Sequence, residues 1–146
     1  MPSELIKVGA MGVRFLVEGD ESNGSVAVFE VDIPASANMP APHSHDGYEE
    51  TIYGLEGTST FTVEGEETDI GPGDVLCIPR GAVHAFVNRG EADAKQLAVI
   101  TPGILGPGFF REVGGVLADA AGGPPDIARI GEVMRRHGLT PAAPSA

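Results

Sequence analysis

The sequence predicts an all-β domain, built as a sandwich or small barrel and followed by a helical extension. Up to residue 101, short strand-like runs recur, each bounded by Gly, Pro or Asn, and none of them has a helical period. After Thr101-Pro102 the apolar residues recur at helical spacing instead. Parallel βαβ units are not expected, because they need helices between the strands.

Eight strands are expected before residue 102, separated by turn-rich stretches such as EGDESNG (18–24). Most of the 21 glycines and 12 prolines punctuate these runs, as in a compact β domain with many tight turns. The predicted strands are VRFLV (13–17), SVAVFEVDI (25–33), ETIYGLEG (50–57), TSTFTVEG (58–65), ETDI (67–70), DVLCIP (74–79), HAFVN (84–88) and KQLAVIT (95–101).

The extension is expected to contain helices. GFFREVGGVLADAA (108–121) has helical spacing, although its two adjacent glycines weaken it. A stronger helix spans 126–137, with Asp126 as N-cap and Gly138 as the end. We expect its apolar stripe to bury on the outer face of a sheet; the stripe is Ile127, Ile130, Val133 and Met134. The chain is thus divided into a β domain (1–103) and a helical extension packed on it (104–146), with a frayed end from Thr140.

Charge and composition exclude several classes of protein. The net charge is −12, and so acidic a surface repels nucleic acid and anionic membranes. No signal peptide and no membrane span is recognisable, so we expect a cytoplasmic protein. The single cysteine, Cys77, excludes an internal disulfide framework and is expected to be a buried, inert thiol.

Three of the four histidines have a spacing that suits a metal site. On a strand, residues i and i+2 share a face, so His43 and His45 can present both imidazoles to one point. Glu50 can return a carboxylate to that point as the next strand begins, and His84 supplies a third imidazole. Three imidazoles and one carboxylate suit a first-row divalent metal with room left for water or substrate.

These residues lie in two stretches that resemble the motifs of the cupin family. HSHDGYEETIYGLEG (43–57) has the pattern H-x-H, four residues, E, six residues, G. GDVLCIPRGAVHAFVN (73–88) has G, five residues, P-x-G, two residues, H, three residues, N. Ala37 stands where the family often has a glycine of a turn, which leaves the ligand positions unaffected.

The resemblance implies a cupin jelly-roll barrel of antiparallel strands with one divalent transition metal inside. Its ligands would be His43, His45, Glu50 and His84, and Glu50 would also take a proton during catalysis. The short cupin domain with a helical extension resembles small bacterial quercetinase-like proteins, which implies a dioxygenase acting on an aromatic or enol-type small molecule. Such cupins are often homodimers. The metal is left open among Fe, Mn, Ni, Co, Cu and Zn.

Alternation along the strands predicts which other residues meet the substrate. Ile52 shares the face of Glu50, and Phe86 shares the face of His84, so both should line the cavity. Tyr53 should point to the other side of the sheet, as should Leu55. Two aromatic residues, Phe109 and Phe110, lie near the start of the extension. We expect them either to pack a helix on the sheet or to form a lid over the barrel mouth that contacts the substrate.

Two other functions are compatible with the same ligands. A metal-dependent isomerase, cyclase or lyase would polarise a carbonyl without consuming oxygen. A non-catalytic cupin would only bind a small molecule and act through a protein partner. His137, in the last helical turn beside two arginines, is expected to be a surface residue stabilised by the helix dipole.

Overall fold

The computed structural model describes residues 3–39 and 41–142, which form eleven strands, two α-helices and one 3-10 turn within those ranges. The strands are β1 (Leu5–Val8), β2 (Met11–Val17), β3 (Ala27–Ile33), β4 (His43–His45), β5 (Glu49–Glu56), β6 (Ser59–Val63), β7 (Glu66–Ile70), β8 (Val75–Ile78), β9 (His84–Val87), β10 (Ala94–Thr101) and β11 (Leu139–Pro141). The helices are α1 (Pro107–Asp119) and α2 (Ile127–Arg136).

Two antiparallel sheets face each other, which confirms the predicted jelly-roll sandwich. One sheet has six strands in the order β1-β2-β3-β10-β5-β8, and the other has five in the order β11-β4-β9-β6-β7. All eight predicted strands are present; β1, β4 and β11 are additional. The non-consecutive neighbours within each sheet carry the chain back and forth between the two layers.

The core lies between the sheets because the strands alternate in burial. In β3 and β10 every second residue is buried, and these residues are paired by the register Phe29 with Ala98 and Val31 with Gln96. Such alternation sends one apolar row of each strand inward and leaves a partly polar row on the outer face. This geometry creates the interior in which the site lies.

The helices close one side of the sandwich. Helix α1 packs against β1, where a Cβ on Gly114 would lie 2.2 Å from the backbone oxygen of Lys7, so glycine permits this close approach. Helix α2 begins as predicted, with the Asp126 side chain accepting a hydrogen bond from the Arg129 backbone N–H. Helix α2 contacts α1 and the strand β11 that follows it. None of the helices in the described ranges is long and apolar enough to cross a membrane.

The structure corrects four expectations for individual segments. Cys77 is exposed because it lies on the outer face of the edge strand β8. Ile127 is 49 % exposed, and the rest of its stripe is buried between α2, α1 and the sandwich rather than on an outer sheet face. The expected frayed end begins too early, since Leu139–Pro141 pair with β4; residues 143–146 lie outside the described part. His137 is partly buried rather than a surface residue held by the helix dipole alone, and it pairs with Glu112 of α1.

Candidate metal centre and cavity

The three histidines predicted as ligands lie together between the sheets. His43 and His45 share the inner face of β4, and His84 stands directly opposite His43 on β9. The ring centroid of His84 lies 4.7 Å from that of His43 and 4.4 Å from that of His45. All three side chains are buried, so the predicted juxtaposition is confirmed.

Hydrogen bonds and stacking orient the imidazoles. His43 Nδ1 lies 3.1 Å from the backbone oxygen of Ala41, and His84 Nδ1 lies 3.0 Å from that of Ala82. If each Nδ1 donates its proton to that oxygen, the opposite nitrogen Nε2 keeps a free lone pair. The ring of His45 stacks on the completely buried Tyr48, with centroids 4.4 Å apart and planes 20° apart.

Glu50, and not its neighbour Glu49, joins the cluster. The Glu50 Oε1 atom lies 3.7 Å from His45 Nε2 and 3.8 Å from His84 Nε2. Glu49 points to the opposite side of β5 and receives two hydrogen bonds from the Arg80 guanidinium, at 2.5 and 2.9 Å. The alternation of a regular strand therefore separates the two carboxylates, as the sequence predicts.

Burial shifts the protonation of the whole cluster. Desolvation, together with the neighbouring imidazole of His84, lowers the pKa of His43 to about 3 and that of His45 to about 2. Desolvation also lowers the pKa of His84, whereas it raises the pKa of Glu50 to about 7. Without a cation, the cluster thus holds neutral imidazoles beside a carboxyl group that ionises reluctantly.

The residues fit a divalent metal ion. One nitrogen from each histidine lies within 4.8 Å of the other two, and two nitrogens bound to one ion are at most about 4.2 Å apart, so small ring movements suffice. Among the described residues, the buried His84 Nε2 has no hydrogen-bond partner, as expected of a ligand atom. A bound cation would also offset the desolvation of the Glu50 carboxylate.

The remaining motif residues shape the backbone around the ligands. Gly81 has a φ of +83°, which favours glycine, and its N–H donates to the backbone oxygen of His45 at 2.8 Å. The completely buried Asn88 donates from Nδ2 to the backbone oxygens of Ile33 and Ala92, both at 2.9 Å. The motif thus specifies turns as well as ligands.

A cavity of about 80 Å³, measured for molecules the size of water, adjoins the histidines. By this measure it holds a few waters or part of a small organic molecule, since one water needs about 10–15 Å³. The four residues predicted to meet the substrate all line it, namely Ile52, Phe86, Phe109 and Phe110. Apart from the three histidines and Glu50, Gln96 is the sole polar residue of its lining in the described ranges.

The extension supplies one wall of this cavity. Phe110 packs edge-on against Phe29 of β3, with ring centroids 5.1 Å apart, so α1 lies over the interior of the sandwich. Nothing in the sequence marks the other wall residues after residue 103 as cavity lining; they are Leu105, Val113, Met134 and Leu139. Gln96 did carry a signal that was overlooked: it stands on the inward row of β10 with Ala94, Ala98 and Ile100.

Comparison with known proteins supports a family assignment. Residues 29–100 match a family model described as Cupin domain. Quercetin 2,3-dioxygenase of Bacillus subtilis is 38 % identical over 101 residues, which cover 69 % of this chain but only 29 % of that protein. An uncharacterized protein of Streptomyces coelicolor is 30 % identical over 82 residues, covering 56 % of this chain and 73 % of that protein.

A solved structure shows the same architecture. A predicted oxalate decarboxylase of Thermotoga maritima superposes with a TM-score of 0.63 and 25 % identity, covering 70 % of this chain and 93 % of that one. The chain described here spans less than a third of the Bacillus dioxygenase, so that enzyme's activity does not transfer to it by similarity alone.

Proposed function

Because this chain belongs to the cupin superfamily, we propose that it is a metal-dependent enzyme that acts as a dioxygenase on a small aromatic or enol-type molecule. One observation carries the proposal: three imidazoles meet in a cavity that is otherwise almost entirely apolar, and the Glu50 carboxylate lies within 3.8 Å of two of them. A site of this kind suits a substrate with one oxygen-bearing end and an apolar body. The similarity to the Bacillus dioxygenase supports the same choice.

In this proposal His43, His45, His84 and Glu50 hold one divalent transition metal from the series Fe, Mn, Ni, Co, Cu or Zn. When bound, the ion supplies Lewis acidity toward an enol or phenol oxygen and, if redox-active, electrons for dioxygen chemistry. Glu50 Oε1 lies within 3.8 Å of two of the histidines and would accept the proton that the substrate hydroxyl loses. Glu50 therefore has two proposed roles, as ligand and as proton acceptor.

The apolar lining orients the substrate and excludes water. Ile52 and Phe86 flank the interior beside the histidines, and Phe86 packs against Phe61 with ring centroids 5.1 Å apart. Phe109 and Phe110 form the wall contributed by α1. We propose that this wall acts as a lid, because a reactive oxygen intermediate needs shielding from solvent.

A lyase or isomerase reaction is the second candidate. The Thermotoga structural relative is described as a predicted decarboxylase, and the same four ligands would polarise a carbonyl equally well. In a non-catalytic cupin, by contrast, small molecules would bind in the same cavity without being converted.

Oxygen uptake by the metal-loaded protein separates these functions. The panel would contain phenols, catechols, cyclic enols and flavonols, each assayed with the wild type and with His84→Ala. We expect uptake with at least one aromatic or enolic compound, and none with His84→Ala. Anaerobic conversion of a compound would favour the lyase or isomerase, and binding detected by a thermal shift without any conversion would contradict an enzyme.

We also propose that the protein forms a homodimer through the outer face of the six-stranded sheet. Tyr53 and Val75 are 42 % and 62 % exposed, and they lie opposite each other in the β5–β8 pair. Cys77, also exposed, is two residues along on the same face. Adjacent exposed apolar side chains of this kind mark interaction surfaces. Sedimentation of the wild type as a dimer, and of Tyr53→Glu as a monomer, would support this proposal; a monomeric wild type would contradict it.

A further inference from the structure

Gln96 is a buried polar side chain that the proposed metal chemistry does not use. Its side chain lines the cavity and the residue is 2 % exposed, whereas its neighbours on the inward row of β10 are Ala94, Ala98 and Ile100. A polar amide in such a place costs free energy unless its atoms find partners. The position of Gln96 therefore calls for an explanation beyond packing.

Only half of this amide is satisfied by the protein. Ser59 of β6, itself buried, donates its hydroxyl to Gln96 Oε1 at 3.2 Å and so bridges the two sheets. This is the one side-chain hydrogen bond of Gln96 within the described residues, and Gln96 Nε2 is not among the fully enclosed atoms that lack a partner. Because Ser59 holds the carbonyl oxygen, the amide nitrogen is the atom left to face the cavity.

The register separates the level of Gln96 from the level of Glu50 along the sheet. Glu50 pairs with Ile100 on β10, and Gln96 lies four residues before Ile100 on the same inward row. At about 3.3 Å per residue the two levels are about 13 Å apart along the strand. The intervening level is apolar, with Ile52 opposite Ala98 on the sheet. A ligand that touches both ends must be elongated and apolar in the middle.

We propose that Gln96 is a specificity-determining residue, which donates a hydrogen bond from Nε2 to an acceptor oxygen at the end of the ligand remote from the histidines. The inference rests on the proposed function for the metal-binding end of the ligand. It adds the class of substrate: a molecule with a metal-binding enol or phenol oxygen at one end, and a carbonyl or ether oxygen at the other. Ser59 is a positioning residue that turns the amide.

Matched catechol probes test the assignment without requiring turnover. Protein loaded with ferric iron under argon is titrated with catechols that carry an acetyl or a 3-oxobutyl group, and with their ethyl and butyl counterparts. The catecholate-to-iron charge-transfer band reports each dissociation constant. In the wild type we expect a carbonyl probe of one of the two lengths to bind about tenfold more tightly than its alkyl counterpart, the size of one hydrogen bond.

Two variants and a control connect that preference to the amide. Gln96→Leu should abolish the preference by weakening the carbonyl probe alone, and the Gln96→Leu/Ser59→Ala double variant should behave alike while leaving no buried hydroxyl unpartnered. Thr60→Val is the matched control, because the Thr60 hydroxyl bonds to Asp69 at 2.8 Å instead of to Gln96. It should keep the wild-type preference.

The assignment is overturned if neither length shows a preference in the wild type, or if the preference survives Gln96→Leu. Failure of the site to hold ferric iron has a different signature, namely no charge-transfer band even with unsubstituted catechol. In that event calorimetric titration measures the dissociation constants of the same carbonyl and alkyl probes. Loss of the preference for the carbonyl probe in Gln96→Leu would still support the role of Gln96, and its persistence would overturn it.

Discussion

The two sides of the cavity have opposite effects on the protein. At the histidine side, three imidazoles and Glu50 are stripped of water and gain little from one another, as their displaced pKa values show. At the helical side, Phe109, Val113 and Met134 are buried among apolar neighbours and contribute stability. The candidate metal ligands and these stabilising apolar side chains thus belong to different parts of the chain, so a single substitution can change metal binding or stability separately.

Removing the helical side should have the largest effect. Truncation after Thr101 deletes several buried side chains, including Phe109, Ile130 and Leu139, and strips β11 from its pairing with β4. Each large buried side chain contributes about 2–5 kcal/mol, and a domain has only about 5–15 kcal/mol in total. We expect the truncated chain to lose its cooperative thermal transition by circular dichroism. A sharp transition at a temperature close to that of the full chain would show that the extension contributes little to the stability of the barrel.

A single substitution in the same wall should have a smaller, measurable effect. Phe109→Ala should lower the free energy of unfolding by about 3–4 kcal/mol, because Phe109 is 6 % exposed and contacts both Phe110 and His137. Metal affinity should change little, since no ligand is disturbed. The control is Ile104→Ala, whose side chain is 58 % exposed and whose loss should cost less than about 0.5 kcal/mol. Equal losses in urea unfolding would contradict the separation.

The histidine side should reveal itself in the pH dependence of the metal-free protein. In the folded chain each of the three histidines has a pKa below 6.5. Between about pH 5 and 6.5 these histidines are therefore protonated in the unfolded chain but neutral in the folded chain. The free energy of unfolding falls as pH falls through this window. Glu50 acts in the opposite sense, because its carboxyl group in the folded chain stays protonated up to about pH 7. The stability that Glu50 contributes is lost as pH rises through that value. The unfolded chain gains up to three protons on the histidines, whereas the folded chain retains at most one on Glu50. The free energy of unfolding should therefore rise with pH between about pH 5 and 6.5.

Glu50→Gln removes the opposing group and should steepen this slope by up to one proton. Glu49→Gln is the matched control, because Arg80 lowers the pKa of Glu49 and its titration falls below this window. Urea unfolding between pH 5 and 7, in the presence of a chelator, measures both slopes. Identical slopes in the two variants would mean that Glu50 is not desolvated in the folded chain.

The same contrast explains what the sequence could predict. The histidines at 43, 45 and 84 belong to short motifs whose spacing follows from strand alternation and tight turns. The sequence alone could therefore predict that their imidazoles lie close together. Alternation likewise placed Ile52 and Phe86 on the inner face. The list of eight strands left out β1, β4 and β11, which have only three or four residues each, too few to show a periodicity.

The helical wall was less predictable for a physical reason. Any apolar residue can fill a wall, so Leu105 and Met134 carry no spacing that distinguishes cavity lining from ordinary core. The exposure of Cys77 follows from β8 being an edge strand, which depends on sheet order and not on its apolar run VLCIP. The pairing of His137 with Glu112 depends on how two helices meet, which is equally a tertiary property.

The central claim is that one divalent transition metal is held by His43, His45, His84 and Glu50. The most direct test is titration of the metal-free protein with Co²⁺ at neutral pH. The visible absorption of bound Co²⁺ reports its coordination, and elemental analysis gives the stoichiometry. We predict one ion per chain in the wild type and in Glu49→Gln, at least tenfold weaker binding in Glu50→Gln, and no specific binding in His84→Ala. Undiminished binding of one ion in His84→Ala, or none in the wild type, would contradict the account.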